Sequence, residues 1–160
     1  MKKILFIGAF VLLTFSVNAQ DYYTAVGIRA GVSTGFTVKY FVSKVDAVEG
    51  IVAFRWGGFI VTGLYEYVNK LEVPRLNWYY GFGAHIGHWD GNKAEDWGWW
   101  DPTDDKGATI IGADGIIGIE YTLEKIPLNF SLDWRPAFNF IGYAGMWGDQ
   151  VAISIRFIIN

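Results

Sequence analysis

From residue 22 onward the chain alternates apolar and polar side chains, and the polar set is rich in charge and glycine. The segment 127–140 shows the pattern most fully. Leu128, Phe130, Leu132, Trp134, Phe138 and Phe140 fall on one face, and Asn129, Ser131, Asp133, Arg135 and Asn139 on the other. A period of two marks a β-strand lying between two different environments. The same alternation predicts strands over 22–31, 32–43, 46–56, 59–69, 76–89, 108–124, 127–140 and 150–159. Their connections alternate too. Residues 43–46, 70–75 and 124–127 are short turns at one end. Residues 31–35, 56–58, 90–107 and 142–149 join the strands at the other end and include the longest segment. Eight strands joined this way predict an all-β, antiparallel, up-and-down barrel, with both termini on the short-turn side.

Alternation alone does not decide which face is inside. A soluble barrel of lipocalin type would turn the apolar face inward. Three features favour lipid outside and a polar, plugged lumen, that is, a transmembrane barrel. The polar face carries small residues (Gly35, Gly81, Gly83, Gly87, Gly112, Gly118), which suit a crowded interior. Lysine, favoured on soluble edges and surfaces, is scarce on the strands. Tyr and Trp (Tyr65, Tyr67, Trp56, Trp78, Tyr121, Trp134) gather near strand ends, as in interfacial girdles. On this reading the lumen holds an ionic network of Arg29, Lys39, Glu49, Arg55, Glu66, Asp114, Glu120, Asp133, Arg135 and Arg156, five bases against five acids. An eight-stranded barrel has room inside for side chains and little else. Charges held there must be paired, and arginine suits this better than lysine because its fork meets a carboxylate through two bonds.

The first residues fit the export of such a barrel. Met1-Lys2-Lys3, an apolar run from Ile4 to Val17 and Val17-Asn18-Ala19 before Gln20 read as a signal peptide cleaved after Ala19. The apolar run is short for a spanning helix, which needs about 20 residues. The barrel domain is then 20–160, with 11 basic and 16 acidic residues. That acidic balance, with no basic run, argues against nucleic acid as a partner. Cysteine is absent, so neither disulfides nor a lipidated N-terminal cysteine enter the picture.

The architecture resembles small outer-membrane β-barrels of the outer membrane protein A and X type, along the whole of 20–160. Gly112-Ala113-Asp114-Gly115-Ile116-Ile117-Gly118-Ile119-Glu120-Tyr121, followed by Ile126-Pro127-Leu128-Asn129 and Asp133-Trp134-Arg135-Pro136, also resembles outer-membrane barrel-domain proteins of Gram-negative bacteria that carry no assigned activity. The resemblance implies an outer-membrane location, contact with membrane lipids and lipopolysaccharide, and insertion by the barrel assembly machinery. That machinery reads a C-terminal strand ending in an aromatic residue. Here 151–159 alternates correctly, but the chain ends Phe157-Ile158-Ile159-Asn160.

Candidate chemistry is sparse. His85 falls on the inward face and His88 on the outward one, so the two cannot share a metal ion without a bulge. No serine sits in an arrangement typical of a lipid-modifying hydrolase, and neither a metal nor a cofactor is expected. Residues 90–107 hold six acids against two lysines, with Trp97, Trp99 and Trp100. Trp97, Trp99, Trp100, Asp101, Asp104 and Asp105 are the candidate binding residues of this outer loop. Against that stands the simpler role of interfacial anchoring by the tryptophans and solvation by the acids. The expectation is a monomeric barrel with a structural or surface-interaction role and no catalysis. A small-solute, porin-like channel is the alternative, and a lipid A-modifying enzyme a distant third.

Overall fold

A computed structural model describes residues 23–55, 57–89, 108–142 and 145–159. The strands are β1 (Thr24–Gly31), β2 (Thr34–Phe41), β3 (Asp46–Arg55), β4 (Gly58–Lys70), β5 (Leu76–Trp89), β6 (Ala108–Thr122), β7 (Leu128–Trp134), β8 (Ala137–Ile141), β9 (Gly145–Trp147) and β10 (Val151–Ile159). Every ladder is antiparallel. β1 pairs with both β2 and β10, and β6 with β5 on one side and β7 and β8 on the other. β7 and β8 run in line as one stave, and β9 and β10 as the last. The result is a closed eight-stranded antiparallel barrel. Followed once around, the registers return to β1 displaced by ten residues along the strand. A stagger of this size tilts the staves by about 40° to the barrel axis.

The alternation read from the sequence fixes the faces. Residues of β2 alternate exposed and buried without exception, and β10 does so up to its last residue. Outward positions carry Ile28, Phe36, Phe82, Ile117, Phe140 and Ile155, all exposed. Inward positions carry the charges. The turn at the short-turn end of β2–β3 is built by Ser43, whose Oγ accepts from the Asp46 backbone N–H at 3.0 Å and donates to the Asp46 carboxylate at 2.7 Å. At the loop end, Gly57 takes a left-handed φ of 72° that lets β3 turn into β4 in two residues.

Two staves differ from the sequence reading. The predicted strand 127–140 breaks at Arg135–Pro136, because proline has no N–H to give a ladder. Its carbonyl accepts from Gly115 N–H at 2.9 Å, and Arg135 N–H donates to Gln150 O at 2.9 Å, so alignment and face survive the break. The predicted loop 142–149 contains a strand: Gly145–Trp147 pairs with β8. The last stave is therefore longer than 150–159, with a bend at 148–150.

The lumen is also less uniformly polar than predicted. At the short-turn end Phe41, Val68 and Ile158 turn inward and, with Ala25 and Ala47, form an apolar floor. Large inward side chains are placed opposite glycine. Tyr79 pairs with Gly118 and His85 with Gly112. A Cβ added at Gly118 would stand 2.7 Å from the Tyr79 hydroxyl, and one at Gly112 would stand 2.5 Å from His85 Cε1.

Candidate functional site

The interior side chains stack in layers up the barrel axis. Next to the apolar floor lies Lys39, inward on β2. Its Nζ is 2.8 Å from Glu66 on β4 and 2.9 Å from Glu120 on β6. It also lies 4.1 Å from the centroid of the Tyr79 ring, a cation–π arrangement. One ammonium thus ties three non-adjacent staves.

The middle layer belongs to two arginines. Arg29 on β1 donates through Nη1 to Asp133 Oδ2 at 2.8 Å and through Nη2 to Asp133 Oδ1. The Tyr79 hydroxyl donates to the same carboxylate at 3.1 Å. Arg156 on β10 donates to Glu49 at 2.5 Å, Ser131 at 2.8 Å and Asn129 at 3.3 Å. Thr37 donates to the Glu49 oxygen that Arg156 also uses. All of these side chains are buried, so each charge depends on its partner rather than on water.

The third layer lies toward the loop end. Arg135 donates to Thr62 at 2.6 Å and to Gln150 Oε1 at 3.1 Å, and stands 3.4 Å from Asp114. His85 is held at both nitrogens, Nδ1 by Asp114 at 2.7 Å and Nε2 by Asn139 at 2.7 Å. Trp147 stacks on the imidazole, the ring centroids 6.0 Å apart and the planes 16° from parallel.

Arg55 stands apart from this lumen set. The sequence reading counted it among the five interior bases. In the structure its side chain is largely enclosed toward the loop end and pairs at 2.9 Å with Asp149, a residue read as loop. Its guanidinium lies 5.6 Å from the Trp147 ring centroid. The buried layers therefore contain four arginine and lysine side chains against five carboxylates, with His85 among them.

The other predicted interior charges, Arg29, Lys39, Glu49, Glu66, Asp114, Glu120, Asp133, Arg135 and Arg156, all point inward and are brought into contact as described. His88 points outward and lies 3.1 Å from Thr109. Trp97, Trp99, Trp100, Asp101, Asp104 and Asp105 lie outside the described residues, as does the signal peptide. Sequence reasoning placed Asn129 on the polar face but did not single out Tyr79, Thr37, Gln150 or Trp147. Tyr79 and Thr37 carry the signal it uses, an inward position on an alternating strand. No protein-family description, no curated protein and no solved structure matches this chain.

Proposed function

We propose that this chain is an outer-membrane β-barrel with a structural or surface-interaction role and no catalytic activity. The observation that carries the reading is the inverted polarity of a closed barrel. Nine ionisable side chains, four basic and five acidic, sit inside, while every stave turns large apolar residues outward. Contiguous exposed apolar patches on soluble monomers rarely exceed a few hundred Å². Here they run around the whole circumference, as a hydrocarbon solvent requires. The nine residues of β10 match the span of about 9–11 residues that a tilted strand needs to cross a bilayer. Near the short-turn end Tyr67 stacks on Tyr80 at 5.4 Å and Tyr80 on Trp78 at 5.3 Å, outside the barrel, in keeping with an interfacial girdle.

Ion pairs tie opposite staves across the lumen at several heights, which favours a plug over a porin-like channel. Among the described residues His85 engages Asp114 and Asn139 rather than a serine, which supports a packing role for it. On this reading the barrel is monomeric, is delivered by the barrel assembly machinery, and meets lipopolysaccharide at its loop end, with residues 90–107 as the contact surface. The test is to refold the chain in detergent, verify folding by a heat-dependent gel shift, and record planar-bilayer conductance. A folded, silent barrel is expected. Discrete, reproducible current steps would replace this reading with a channel.

A further inference from the structure

Among the described residues, the buried charges do not balance evenly along the lumen. Arg29 is matched by Asp133, and Arg135 by Asp114. The remaining buried ions are Lys39 and Arg156 against Glu49, Glu66 and Glu120, and none of these five side chains has any solvent exposure. Two cations therefore face three carboxyl groups. The excess acid lies in this group and not beside His85, where Arg135 already answers Asp114. An uncompensated buried charge is costly, so the imbalance calls for a proton.

The three carboxyl groups are not equally served. Glu49 Oε1 accepts from Arg156 at 2.5 Å and from the Thr37 hydroxyl. Glu120 accepts from Lys39 at 2.9 Å through Oε2 and from Asn77 at 3.4 Å through Oε1. Glu66 has no comparable donor. Lys39 Nζ comes within 2.8 Å of its Oε2, yet neither Glu66 oxygen receives a well-directed hydrogen bond among the described residues. Glu49 Oε2 is in the same condition. These two carboxyl groups come from adjacent strands, where Glu66 pairs with Ala47 and Glu49 with Leu64, and they lie within hydrogen-bonding reach of each other. Ionised carboxylates only accept. Two of them in contact and short of donors repel, whereas one proton between them supplies the missing donor and removes the excess charge. The other groups facing Glu66 supply no such proton. Lys39 from β2 donates to Glu120, the Tyr79 hydroxyl from β5 donates to Asp133, and Glu120 from β6 is itself an acceptor.

We propose that Glu49 and Glu66 form a proton-binding site, sharing one proton carried on Glu66, and that this makes the barrel's stability sensitive to pH. Glu49 stays ionised because Arg156 and Thr37 already serve its charge. Glu66 is then the donor and Glu49 Oε2 the acceptor. At neutral pH the folded barrel holds a proton that the same glutamate has lost in the unfolded chain. Stability is therefore full in acid, falls as pH rises past the ordinary glutamate range, and stops falling once the shared proton has left. Loss of the proton sets two carboxylates against each other between β3 and β4. It also loosens the layer in which Lys39 ties β2 to β4 and β6. The pair lies in the lumen, so the inference holds whichever solvent surrounds the barrel.

The test is infrared spectroscopy of the refolded barrel at neutral pH, in a detergent without carbonyl groups. The carbonyl stretch of a protonated carboxyl is expected in the native chain and absent in Glu66→Gln. The amide keeps a donor for Glu49 and an acceptor for Lys39, so Glu66→Gln is expected to fold, read by gel shift, with little change in the unfolding equilibrium. Glu120→Gln takes the ionised partner from Lys39 and is expected to favour unfolding by about tenfold or more. Around neutral pH the unfolding equilibrium of the native chain is expected to rise about tenfold per pH unit relative to Glu66→Gln. Absence of the band in the native chain, or its persistence in Glu66→Gln, overturns the shared proton. Failure of Glu66→Gln to fold, or a larger cost there than in Glu120→Gln, shows that Glu66 is ionised and overturns it as well. Parallel pH profiles in the native chain and Glu66→Gln overturn the pH dependence.

Discussion

Arg29 and Asp133 are joined through two guanidinium nitrogens and both carboxylate oxygens, although 104 residues separate them in sequence. They lie on β1 and β7, with β10 between them, so the pair bridges the seam where the first and last strands meet. Removing one partner strands a buried charge. Arg29→Ala is expected to cost about 3–5 kcal/mol, and Arg29→Met with Asp133→Leu to recover most of it. Urea titration of the barrel in vesicles, read by gel shift, checks both. Equal losses in the single and double variants would mean the pair's geometry matters more than its burial.

A second expectation concerns the outer face. Leu132 points outward between Ile119 and Ile153. In a bilayer, Leu132→Arg should cost about 2–4 kcal/mol. On a water-facing surface the same change would be nearly neutral. Denaturation in vesicles, and again in detergent, measures the difference. A neutral result in lipid would argue against the membrane reading.

Gly118 makes room for Tyr79. Gly118→Ala should destabilise the barrel by about 1–3 kcal/mol through overpacking. Tyr79→Ala in the same chain should relieve part of that cost. Relief will be incomplete, since the added carbon also meets the Asp133 Cβ at 2.7 Å. A double-mutant cycle reads the coupling, and strict additivity would show that the two positions do not crowd each other.

Residues 90–107 are the proposed contact surface, and the β5–β6 ladder is already complete at Trp89↔Ala108. Deleting 92–105 should therefore leave the gel shift intact while reducing adhesion to lipopolysaccharide-coated surfaces. Loss of the shift would make this segment part of the folding unit instead.

Strand existence and facing were legible because each side chain's face follows from a period of two, which survives even the break at Pro136. Most inward charges followed from the same parity. Their partners did not. Arg29 meets Asp133 because of the stagger and two intervening ladders, neither of which is written in any local segment. Arg55 points inward as parity says, but parity gives direction and not height, so its pairing with Asp149 toward the loop end was not legible. Strand β9 was hidden because Gly145-Met146-Trp147 is too short to show alternation, and Gly142, Gly145 and Gly148 together read as loop. Phe41, Val68 and Ile158 were overlooked because apolar residues at inward positions look like lapses in a polar face until the barrel closes over them.

The ladder between β1 and β10, which pairs Thr24 with Ile159, also sets an order of events. The first strand to emerge during synthesis is the one whose neighbour is made last. Until that neighbour arrives, β1 offers a bare row of backbone donors and acceptors to any passing strand, including its counterpart in another copy. The chain therefore cannot be finished piecemeal from its beginning. Among the described strands, closure of the barrel therefore waits on β1 meeting β10.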